Sequence, residues 1–161
     1  MKKSFASDNS IFGIHVVQVS HDIGILDTAK DREPYERQLA YAQELDQQCP
    51  GSEMSILVLT YQANVQPTQE KNLRIIPVDG GSLGRRLKLW PALWRLHHLR
   101  PIDVITTQTV FDEAGLVLLF AKLVSARVIG QIHWDIFSEV GQRDSLRRFT
   151  HWRYRFALSY M

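Results

Sequence analysis

The segment Ile14-His-Val-Val-Gln-Val-Ser20 (IHVVQVS) decides the fold class. It is rich in β-branched residues and apolar on both faces, the pattern of a strand covered by helices rather than one with a wetted side. The polar stretch HDIGILDTAKDRE that follows reads as a loop, and Pro34 then stands where a first helical turn tolerates proline. From there PYERQLAYAQELDQQ places Leu39, Ala42 and Leu45 on one stripe, so it reads as an amphipathic helix closed by Cys49-Pro50-Gly51. Two further strands are expected at Met54 to Thr60 and Leu73 to Val78, separated by a polar Gln/Asn/Pro loop. The glycine-rich DGGSLG breaks the chain, and RRLKLWPALWRLHHL is then a helix with a kink expected at Pro91. A strand at Ile102 to Thr107, a helix at Phe111 to Val124, a strand at Arg127 to His133 and a last helix from Gln142 to Tyr160 complete the series. Strands and helices that alternate in this way predict an α/β protein with a Rossmann-like parallel sheet and helices on both faces.

Composition bounds the function. The chain has 161 residues, 45% of them hydrophobic, enough for one domain with a full core. Its 19 basic and 17 acidic side chains nearly cancel, which does not mark a nucleic-acid binder. The lone Cys49 forms no internal disulfide, in keeping with a reducing compartment such as the cytoplasm. The N-terminal MKKSFASDNS is too polar for a signal peptide. The longest apolar run, Ala114 to Val124 interrupted by Lys122, falls short of the roughly 20 residues that span a bilayer.

In open α/β sheets ligands bind at the carboxyl ends of the strands, near the point where strand order reverses. Those ends carry Ser20-His21-Asp22, Thr106-Thr107-Gln108 and His133-Trp134-Asp135.

Taken in order, HVVQVSHDIGILD, the helical PYERQLAYAQEL, TQTVFDEAGLVLLFAKL and QIHWDIFS resemble the N-terminal, acceptor-side domain of family 4 glycosyltransferases. The resemblance divides the chain into a tail (1–13), a Rossmann-like domain (14–140) and a basic aromatic helix (141–161). It implies one half of a GT-B architecture, in which a sugar passes with retention from a nucleotide-sugar donor to a glycan or lipid-linked acceptor. The donor contacts in such enzymes lie mostly on a second domain, so the resemblance implies half an enzyme, to be completed by a second domain or subunit. Glu36 and Glu44 share the eight-residue spacing of the donor-side glutamate pair but sit on the first helix, where coincidence on a solvated face accounts for them. No cofactor or metal is implied. The alternative is a non-catalytic Rossmann-like domain that docks a membrane or a partner.

By the same resemblance His133 is the catalytic candidate, a cleft histidine that bonds the donor sugar or its phosphate; it also reads as a strand cap. Trp134 stands where glycine is common and either narrows the cleft or packs on the next helix, while Asp135 either orients His133 or caps a turn. His21, Asp22 and Gly24 are candidates for substrate contact, although a single glycine weakens a diphosphate role for that loop. Gln108 and Glu113, with Asp112, open a helix where acceptor hydroxyls could bond, or where Asp112 acts as an N-cap. Arg85, Arg86, Lys88 and Arg95 interleave with Trp90 and Trp94. Such a stripe suits an anionic membrane surface at the inner face of the membrane, or a helix packed on the sheet with Trp inward and Arg outward.

Overall fold

The computed structural model describes residues 13–26, 32–107 and 113–130. Six strands form one sheet: β1 (His15–Ser20), β2 (Glu53–Thr60), β3 (Thr68–Glu70), β4 (Leu73–Asp79), β5 (Val104–Thr107) and β6 (Arg127–Gly130). Their order is β3-β4-β2-β1-β5-β6. All neighbours run parallel except β3, which pairs antiparallel with β4 at the edge. Among the described residues three helices connect them: α1 (Glu33–Gln48), α2 (Ser82–Leu99) and α3 (Ala114–Val124). The fold is the Rossmann-like α/β sheet that the strand pattern predicts.

Each face of the sheet has its own core. Val17, Val19, Leu57, Leu59 and Ile105 pack on Leu89, Leu93 and Leu96 of α2 and on Val117 and Phe120 of α3. Ile56, Val58, Leu73 and Ile75 pack on Tyr35 and Ala42 of α1 and on Ile25. This two-sided burial explains why β1 and β2 carry apolar side chains on both faces, and each such side chain contributes roughly 1.5–3 kcal/mol on burial.

Local chemistry sets the ends of the elements. Pro34 sits in the first turn of α1, where Glu33 and Glu36 oppose the positive helix end. The helix stops at Gln48, and Gly51, at φ +82, accepts the turn that follows. Four expectations need correction. The loop before β4 contains β3, whose residues are all exposed and are held by the ladder to β4 and by a 2.7 Å hydrogen bond from Tyr35 Oη to Glu70. That acceptor and burial together push the Tyr35 pKa up to about 12, burial being the larger cause. The glycine-rich turn is shorter than expected, because Gly81 already caps α2, which runs on through Pro91. β5 starts at Val104, since Asp103 is used instead to accept the His15 amide at 2.7 Å. Finally, α3 starts at Ala114, not Phe111, with Glu113 as its cap. Of the strand expected at 127–133, residues 127–130 are described; 131–133 and the last helix lie outside the described residues.

The amino end of the sheet is locked by a polar network. The His15 ring is 1% exposed, with Nε2 3.0 Å from Ser55 Oγ and Nδ1 3.1 Å from the Arg100 carbonyl. Arg100 donates to the carbonyls of Gly13 and Gly51 and lies 3.4 Å from Glu53. Burial holds the His15 pKa below its ordinary 6.5, with the bond to the Arg100 carbonyl acting the other way. The unfolded chain therefore binds the proton more readily, and stability is full above the unfolded value and falls as pH drops toward the folded one. Melting temperatures are expected to decline between about pH 7 and pH 5. The slope should flatten in His15→Asn; a melting temperature that rises on acidification over this window would contradict the assignment.

Candidate functional site

Strand order reverses between β1 and β5: the chain leaves β1 toward β2 on one side and returns to β5 on the other. At the carboxyl end of this crevice stand the residue after β1, His21, and the residue before α3, Glu113. Their side chains meet, with His21 Nε2 3.0 Å from Glu113 Oε2. Glu113 is 4% exposed and His21 34%, so a buried carboxylate holds one edge of a ring whose other edge is open. A carboxylate only accepts, which puts the hydrogen on Nε2; Nδ1 has no hydrogen-bond partner among the described residues. Arg86 Nε approaches the other carboxylate oxygen at 3.9 Å. A histidine oriented by a buried acid in this way presents a directed ring nitrogen at the crevice.

Other expected members of the loop have local duties. Ser20 Oγ accepts the Asp22 amide at 3.0 Å, and the Asp22 carboxylate accepts the Gly24 amide at 3.0 Å, capping the short 3-10 turn Ile23–Ile25. A Cβ on Gly24 would lie 3.1 Å from Asp22 Oδ1 and 3.3 Å from Pro34 Cγ, so glycine here serves close packing. Of the three loop candidates, His21 is the one aimed across the crevice.

Glu113 is the cap residue of α3 but makes no capping bond with its side chain, which is turned instead to His21 and Arg86. Gln108, Asp112, His133, Trp134 and Asp135 lie outside the described residues.

The basic and aromatic residues of α2 do not form one outward stripe. Trp90 and Trp94 lie edge-on to Phe120, at ring centroid distances of 5.7 and 5.2 Å, and pack against the core. Arg95 is exposed and Lys88 reaches Asp79 at 2.5 Å, a contact that lowers the Asp79 pKa. Arg85 departs from both sequence expectations, since its side chain points inward. It is 7% exposed, its guanidinium stacked 3.9 Å from the centre of the Tyr61 ring and bonded to Tyr61 Oη at 2.7 Å. Neither Tyr61 nor the Arg85 pocket is legible in the sequence, where two arginines after a glycine pair look like a solvated helix start.

Among the described residues no three His, Cys, Asp or Glu side chains are grouped so as to hold a metal ion, and no helix is long and apolar enough to cross a membrane. No family model matches the chain, and no curated protein matches it.

Proposed function

We propose that this chain is the acceptor-side domain of a retaining GT-B glycosyltransferase of the family 4 type, in which His21, oriented by Glu113, holds a sugar or acceptor hydroxyl. The observation that carries the reading is the His21–Glu113 pair spanning the crevice where strand order reverses. Open α/β sheets bind ligands there, and an acid-held imidazole suits a hydroxyl better than a diphosphate. The sequence motifs that resemble family 4 add to it, with His133 proposed to face the donor sugar. The nucleotide-sugar donor is proposed to be held by a second Rossmann-like domain or subunit.

Calorimetric titration tests the division of labour. Nucleotide sugars are expected to give no saturable heat, and no sugar transfer, with the 161-residue chain alone, and to give both once a donor domain is supplied. Tight binding or turnover by the chain alone would overturn the reading.

A second reading, a non-catalytic docking domain, draws on one feature. Leu83 and Leu87 of α2 and Leu119 and Leu123 of α3 are 67%, 68%, 52% and 59% exposed. Large apolar side chains left in water on two neighbouring helices fit a covered surface.

A further inference from the structure

We propose that the first turn of α2, with Arg85 and Tyr61, is a phosphoryl-binding site, separate from the His21–Glu113 pair and independent of the glycosyl-transfer reading. The proposal starts from a charge without a counterion. Arg85 is buried, yet no carboxylate pairs with it among the described residues, and its Nε has no hydrogen-bond partner. The carboxylates near this rim are taken: Asp79 by Lys88, and Glu113 by His21 and Arg86. A buried guanidinium bonded to a phenol, with no carboxylate partner among the described residues, is expensive to desolvate, and an incoming anion would offset that cost.

The position of the charge strengthens the case. Arg85 and Arg86 lie at the start of an 18-residue helix whose first turn carries no acidic residue. Cations there oppose the helix dipole, so the sequence concentrates positive potential where a helix already supplies it. Gly81, the cap residue, brings no side-chain acceptor to the first amides, which are left able to donate to a ligand. The Cα–Cβ bonds of a helix tilt toward its start, and Arg85 is accordingly carried back to Tyr61, the residue that follows β2 at the carboxyl rim of the sheet. Beside Gly81 and Gly84 the space is open, because a Cβ there would meet nothing within 4 Å. The Tyr61 ring lies against one face of the guanidinium, which is a planar fork of donors, the geometry that matches a phosphoryl group. Such a group comes from a soluble phosphate ester or from a lipid headgroup, and the chemistry of recognition is the same.

The test uses the whole chain. Inorganic phosphate and pyrophosphate are titrated by calorimetry, and vesicles of phosphatidylcholine with or without phosphatidylinositol are assayed by sedimentation. Saturable binding in at least one arm is expected, weakened about tenfold or more in Arg85→Met and unchanged in Arg127→Met, which alters an exposed arginine on β6. Binding of the free anions alone assigns the site to a soluble ester; binding of the phosphatidylinositol vesicles alone assigns it to a headgroup. Should Arg85→Met fail to fold, Arg85→Lys keeps the charge but loses the fork, and a smaller loss of affinity is expected. Absence of binding in both arms, or affinity that the Arg85 variants leave intact, overturns the proposal.

Discussion

Phe120→Ala is expected to lower the unfolding free energy by about 3–5 kcal/mol, the range for deleting a fully buried aromatic ring. Phe120 is 0% exposed on α3 and is surrounded by rings from α2: Trp90 at 5.7 Å, Trp94 at 5.2 Å and His97 at 6.2 Å, all close to perpendicular. Perpendicular pairs of this kind add roughly 0.5–1.5 kcal/mol beyond the area they bury. The ring therefore joins the two helices on one face of the sheet, and alanine would leave a cavity that the tryptophans cannot fill without leaving their own contacts. Domains of this size are stable by about 5–15 kcal/mol, so the variant should lose a large part of its margin. Urea unfolding followed by circular dichroism measures the loss, and tryptophan emission should shift to the red in the folded variant. A loss below about 1 kcal/mol would mean that Trp90 and Trp94 do not depend on Phe120, returning them to the surface role that their basic neighbours suggest in sequence.

Legibility in the sequence followed from how local the physical cause was. The strands β1 and β2 were readable because burial on both faces leaves apolar side chains at adjacent positions, Val16 and Val17 in β1 and Ile56 to Leu59 in β2, a property of the segment alone. The first turn of α1 was readable from Pro34 for the same reason. Nothing in Thr68-Gln-Glu70 favours a strand: its side chains are exposed, and its conformation comes from β4 beside it and from Tyr35, which reaches Glu70 from the start of α1. The sequence reading started α3 at Phe111, but the helix begins only after Glu113, whose side chain is committed to His21 and Arg86. His21 and Glu113 are 92 positions apart, and each was a candidate separately. Their pairing depends on β1 and β5 being neighbours, which periodicity does not specify. Arg85 was misread in the opposite sense. A basic residue on a helix is ordinarily solvated, and only the stack with Tyr61 shows that this one is not.

The second large effect concerns the crevice. In an enzyme that carries this chain together with a donor domain, Glu113→Gln is expected to lower kcat/KM by roughly a hundredfold, the loss that follows when a reacting group is displaced by about 1 Å. Glutamine preserves the volume of the buried side chain but keeps only one acceptor oxygen, so when that oxygen turns to Arg86 the amide NH2 faces His21 Nε2. The imidazole then loses the bond that aims its free nitrogen, and Glu113 is in this sense a positioning residue. His21→Ala removes the aimed group itself and should have a similar effect. Because the two act as one unit, the double variant should be little worse than either single one, whereas independent contributions would multiply. A purely structural pair predicts something else: a lower melting temperature in Glu113→Gln, with the folded fraction turning over at the normal rate. Exogenous imidazole separates the two accounts further, since it should restore part of the activity of His21→Ala only if a ring nitrogen at that position touches the substrate. Multiplicative losses together with no rescue by imidazole would remove His21 from the site and leave Glu113 as a partner for Arg86 alone.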